Sequence, residues 1–288
     1  MGEKDLSTKY LEAYNDVFAD IFNVLVFHED YVDKSLLVDG PTETQYKAET
    51  GDLHAHHRDC MKYYKDMQLS CVTFGIENQV TVDETMPVRM MGYDYDRYIA
   101  QLKNEEDISP IVSIVLYFGD GHWDKPLSLH DMLPHISDKV RPYVNDYPIH
   151  VIDVKGIPKE LRSQLKSDFK VIADFFAEKN DESYTPSDEA IRHPEAVLHM
   201  LRVFTGDNRY DDIEESMLLD KQEGKVITMC NFAERMEQKG RKEGIQEGRR
   251  EGESLLADAI RALKTGKTVE ELLQVYSKHT LDLAQEFV

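Results

Sequence analysis

Residues 111–118, IVSIVLYF, are the stretch that most restricts what this chain can become. Only Ser113 interrupts an otherwise apolar run, and there is no alternation that would give one face to water. A segment of this length and pattern reads as a strand covered on both sides. A second such run, PIHVIDV at 148–154, reads the same way. Two strands buried on both faces need helices above and below them, and helical patterns do stand between and before the strands. Residues 10–27 place Tyr10, Tyr14, Val17, Phe18, Ile21, Phe22 and Leu25 at helical spacing, and Asp16 and Asp20 share one stripe. Residues 93–103 carry a shorter helical pattern, while 67–82, rich in β-branched residues around Gly75, predict one strand or a bent pair. Residues 32–58, with a Gly40-Pro41 turn signal, read as irregular. The alternation predicts an α/β core over residues 1–155.

Beyond that core the pattern is wholly helical. Residues 159–179 and 194–205 are amphipathic, and 156–235 is expected to pack on the core as a helical extension. In 236–288, glycines recur every fourth residue at Gly240, Gly244, Gly248 and Gly252, with mostly charged residues between them. Each glycine costs about 1 kcal/mol against alanine in a helix interior. Two readings stay open: a flexible charged linker, or a ridge of small residues against which a partner helix packs. The second makes 236–288 an oligomerisation region and the chain a homo-oligomer.

Charge and cysteine content set outer limits. With 55 acidic against 34 basic residues the net charge is −21, which argues against passive phosphate neutralisation as a binding mode. It does not argue against a metal site, which needs carboxylates. Cys60, Cys71 and Cys230 form no CxxC pair and fit a reducing compartment. No apolar stretch is long enough to span a membrane, and the N-terminal residues lack the apolar run of a signal peptide. A cytoplasmic protein without membrane contact is expected.

The candidate chemistry lies at Asp59 and, 18 residues on, at Glu77 and Gln79 within GIENQ. In a strand, residues i and i+2 project to one face, so Glu77 and Gln79 would point together. Two carboxylates and a backbone carbonyl are the hard oxygen donors that Mg2+ or Mn2+ takes. The Gln79 amide could orient an attacking water, although it lacks a lysine's charge. By spacing alone these are ordinary surface carboxylates as readily as a site. A carboxylate inside an apolar strand, however, must be resolved by a metal or by an ion pair with Arg58 or Arg89. Arg89, Tyr93, Arg97 and Tyr98 could bind phosphate or stack on a base, or could be polar groups on a core-packed helix. His54, His56 and His57 lack a second ligand group at zinc spacing and read as loop histidines. Cys60 reads as a small core residue.

These segments carry a resemblance. GIENQ, preceded by Arg58-Asp59 and followed by MPVRMMGYDYDRYIAQL, resembles the recombination-promoting nuclease and transposase-associated branch of the PD-(D/E)XK superfamily. NDVFADIFN, PIVSIVLYFG, HPEAVLHMLRVFTGD and MCNFAERMEQKGRKEGIQEGRREG are similar to the same family, so that the likeness spans most of 14–252. It implies a mixed central sheet flanked by helices and a metal-dependent DNA endonuclease. Asp59 and Glu77 would be metal ligands, Gln79 would stand where most of the superfamily has lysine, and Asp20 would be a supporting carboxylate. His57-Arg58, and no proline, precede Asp59. The other reading is a degenerate nuclease fold kept as an oligomeric interaction protein.

Overall fold

The computed structural model describes residues 3–40, 43–47, 53–57, 59–66, 69–179 and 185–288. They fall into two compact units, 1–230 and 231–288. The first unit is an α/β fold built on a five-stranded mixed sheet. Its chain order runs α1 (Glu3–Glu12), α2 (Asn15–Phe22), β1 (Leu37–Asp39), β2 (Glu43–Lys47), β3 (Leu53–His57), β4 (Cys60–Asp66) and β5 (Leu69–Gln79). Then follow α3 (Met86–Lys103), β6 (Ile111–Tyr117), β7 (His150–Asp153), α4 (Lys159–Arg162), α5 (Phe169–Glu178), α6 (Pro194–Thr205) and α7 (Arg209–Gln222).

The sheet order is β1-β4-β5-β6-β7, with β5, β6 and β7 parallel and β1, β4 and β5 successively antiparallel. Strand alternation splits β5 between two helical layers. Phe74 points to the α1/α2 side, where its ring lies 4.7 Å from Phe22, and Asn78 follows on that side. Glu77 and Gln79 point to the α3 side with Val115, their neighbour on β6, which packs with Met86, Met90 and Ile149. The parallel strands end at one rim, where Gln79, Tyr117 and Asp153 stand in a single register row.

Several sequence expectations change in detail, each for a physical reason. The helix expected over 10–27 is two helices, α1 and α2. The break at Ala13-Tyr14 is held by Lys62 Nζ donating to the Ala13 carbonyl and by Tyr14 stacked 3.6 Å from His193. From Asn23 to Phe27 the chain widens into a π turn. The supposedly irregular 32–58 holds β1 and an antiparallel β2–β3 pair. The 67–82 strand is the second arm of a pair whose first arm, β4, is a charged and aromatic strand (CMKYYKD) with no apolar run to announce it. Helix α3 starts seven residues earlier than expected, because Pro87 at its first turn is a natural helix opener. Over 159–179 the helix is interrupted between α4 and α5. There Asp20 Oδ2 accepts the Lys166 and Ser167 amides at 2.8 and 2.7 Å. Helix α6 has the expected span.

The second unit contains most of α8 (Met229–Lys264), with α9 (Val269–Leu272) and α10 (Lys278–Gln285). Ala259, Leu272, Leu281 and Ala284 form its small core. Thr268 opens α9 with a reciprocal capping box to Glu271. The glycines of the four-residue repeat lie within α8, and a Cβ added at Gly244, Gly248 or Gly252 would meet open space. No helix among the described residues is long and apolar enough to cross a membrane.

Candidate active site

The candidate residues meet at the end of β5, where sheet, α1 and α3 come together. Glu77 is buried, and its Oε1 accepts from Arg89 Nη2 at 2.5 Å and from Gln79 Nε2 at 3.2 Å, with the Tyr93 hydroxyl at 3.4 Å. The two-residue spacing therefore places Glu77 and Gln79 on one face and in contact. Asp59, in the bend just before β4, is brought alongside by antiparallel pairing of Cys60 with Ile76. Its Oδ2 accepts the Asn78 amide at 2.7 Å, between Glu77 and Gln79, while Oδ1 pairs with Lys9 at 2.9 Å. Each candidate ligand thus has a counter-cation from a flanking helix: Lys9 of α1 on Asp59, Arg89 of α3 on Glu77.

Arg89 is further clamped by Asp83, 2.7 Å away. Burial alone would ease its proton off, but Asp83, Tyr93 and Glu77 more than compensate and push its pKa above the ordinary arginine value. Asp83 is lowered: burial opposes this, and hydrogen bonds from Thr85 and Arg89 outweigh it. The Tyr93 phenol is raised by burial and then by the Glu77 charge. An apolar cavity of about 570 Å³, lined by Thr85, Val88, Arg89, Met91, Tyr93 and Tyr95, opens beside this group.

A third carboxylate, which the sequence reading did not single out, stands behind the site. Glu12 of α1 is buried, and its Oε2 accepts from Asn78 Nδ2 at 2.8 Å. Burial raises its pKa to about 8, with Asp59 and Glu77 adding to the rise and Asn78 and Lys9 opposing it. At neutral pH it therefore carries its proton. The signal was present in the sequence: Thr8, Leu11 and Glu12 share the buried stripe of α1. A helix taken to begin at residue 10 hides that stripe.

The other expected residues are placed elsewhere. Asp20 serves the Lys166-Ser167 backbone, as described above, and does not join Glu77. Tyr98 lines a different cleft, with Asp94, Ser113 and Tyr147. Arg97 pairs with Glu106 and reaches Thr73. Cys60 is buried, and burial pushes its thiol pKa up, as for a structural core cysteine. Arg58 lies outside the described residues, as do the side chains of His54, His56 and His57.

The donor set, one carboxylate on β5 and one just before the adjacent β4, is of the hard-oxygen type that a divalent magnesium-type ion takes. Among the described residues no three His, Cys, Asp or Glu side chains converge to hold a metal by themselves. A metal here would share its shell with water and substrate oxygens.

Residues 52–176 match the model of a family described as "Putative transposase, YhgA-like". No curated protein and no solved structure matches the chain.

Proposed function

With the segment 52–176 belonging to the YhgA-like transposase family, related to the recombination-promoting nucleases of the PD-(D/E)XK group, we propose that the chain is a metal-dependent DNA endonuclease. The biological setting would be mobile elements, recombination or phage defence. One observation carries the reading: Asp59 is hydrogen-bonded to the amide between Glu77 and Gln79, whose side chains touch on a single face. When bound, a divalent cation would supply an acidified water and offset charge on the phosphate.

The chain's own residues have separable tasks in this reading. Asp59 and Glu77 would hold the ion. Gln79 donates from Nε2 to Glu77, which fixes the amide beside the carboxylate, where it would orient an attacking water. Lys9 pairs with Asp59 and Arg89 with Glu77, and their positive ends would also meet an incoming phosphate. Glu12, protonated at pH 7, hydrogen-bonds the Asn78 side chain without adding a third negative charge.

A second reading has its own support. The Lys9 and Arg89 ion pairs already neutralise both candidate ligands, as they would in a degenerate fold kept for protein interaction. In either case self-association through the glycine ridge of α8 is part of the proposal. Manganese titration by calorimetry separates the two readings. The enzyme reading expects saturable binding that Glu77→Ala weakens at least tenfold; no binding by the wild type favours the interaction protein.

A further inference from the structure

The rim formed by the parallel strands carries a second polar group, two strands away from Gln79. Asp153, at the end of β7, stands in the same register row as Gln79 and Tyr117, and pairing in register points all three to the α3 face. Its Oδ2 accepts from His122 Nδ1 at 2.8 Å. Its Oδ1 is buried without a hydrogen-bond partner among the described residues. A buried carboxylate oxygen left unsatisfied is a cost that structural roles seldom explain. The His122 side chain, in contrast, is 82% exposed. A half-buried carboxylate therefore fixes one nitrogen of an imidazole whose other nitrogen faces solvent at the strand ends. In sheets with parallel strands, that rim is where ligands bind.

The loop that presents His122 is built tightly. A Cβ at Gly119 would collide with the Tyr117 phenol, so the chain can turn under that ring only with glycine. Trp123 closes the turn edge-on to Tyr117 at 5.4 Å. Lys155 Nζ donates to the Asp120 carbonyl, and Lys179 pairs with the Asp120 carboxylate at 3.4 Å. The charged groups around this turn are Asp153, which holds His122, with Asp120 and Asp124 on the same loop and Lys155 and Lys179 on Asp120. The two lysines hold Asp120, whose side chain, like that of His122, is exposed.

We propose that His122, positioned by Asp153, contacts a nearby phosphodiester of the strand held at Asp59 and Glu77. This rests on the nuclease reading above and deepens it. Two strand spacings put Asp153 about 10 Å from Gln79, a span of about two phosphate steps along one extended strand. With Nδ1–H donated to Asp153, a protonated His122 donates from Nε2 to a phosphate oxygen, and the carboxylate behind it balances the charge. His122 is then a substrate-binding residue and Asp153 its positioning residue.

The test is binding without cleavage: fluorescence anisotropy of a labelled single-stranded DNA oligonucleotide in EDTA at mildly acidic pH, across a salt series. His122→Gln should weaken binding about fivefold or more and reduce the salt slope by about 0.7, the value of one phosphate contact on a single strand. His122→Lys should restore both, which a merely structural role for the imidazole would not allow. Asp153→Asn should weaken binding with the fold kept by circular dichroism. Unchanged affinity and slope in His122→Gln overturn the inference, and metal-dependent cleavage by the wild type would still stand. Binding that depends on His122, with no cleavage under any metal, keeps the inference and sinks the nuclease. A wild type that binds no nucleic acid overturns both.

Discussion

Glu12 and Asp20 are both buried acids on the N-terminal helices, and they solve the cost of burial in opposite ways. Asp20 accepts two backbone amides from residues nearly 150 positions downstream. Glu12 gives up its charge instead, with its pKa lifted by burial to about 8. Because the folded value lies above the unfolded one, the Glu12 contribution to stability is complete below the ordinary glutamate range. It is lost as pH rises through about 8. Glu12→Gln, a neutral isostere, should flatten that decline; urea titrations at pH 6 and pH 9 would show it as a smaller drop in midpoint than the wild type's. A wild type equally stable at both pH values would contradict the assignment. Asp20→Ala strands the two amides and should cost about 2–3 kcal/mol in the same assay. It should leave manganese affinity unchanged, and a loss of metal binding would return Asp20 to the site. Nothing in the sequence distinguishes these two roles, since both residues sit on an apolar helical stripe. The deciding partners, Asn78 and Ser167, come from distant strands and loops.

At the scale of elements, what was legible followed from periodicity and what was missed lacked it. Strand β6, helix α6 and the same-face pair Glu77 and Gln79 were readable because their spacing alone fixes their geometry. Strand β4 was not, since CMKYYKD hides a strand whose outward positions are charged or aromatic. The break between α1 and α2 depends on Lys62 and His193, which no local pattern reveals. The glycine repeat, for which a flexible linker and a helical ridge were both open, lies within helix α8, although each glycine weakens the helix by about 1 kcal/mol. Among the described residues nothing lies within 4 Å of a Cβ added at Gly244, Gly248 or Gly252. Leucine at Gly244 and Gly248 meets no clash in the monomer and has the higher helix propensity, so it should raise the stability of α8. If the ridge joins two copies, the same double variant should lower the mass seen by light scattering. An unchanged mass would make the segment a solvated helix and nothing more.

For the molecule as a whole, the surplus of 55 acidic over 34 basic residues fits a protein that approaches nucleic acid through a few placed cations. At the proposed site those cations are Lys9 and Arg89, each already bound to a candidate ligand carboxylate. The resemblance read from GIENQ and its flanking segments agrees with the family match over 52–176. What the sequence could not supply was the set of partners around the carboxylates, because Lys9, Glu12 and Arg89 reach them from separate helices. The proposed catalytic role comes down to Glu77, which is both the buried end of the Arg89 pair and the contact of Gln79. The direct measurement is conversion of supercoiled plasmid to nicked or linear DNA with magnesium, comparing purified wild type with Glu77→Ala. Cleavage by the wild type, abolished by EDTA and reduced at least a hundredfold in a folded Glu77→Ala, is the predicted result. Equal cleavage by the two proteins would contradict it.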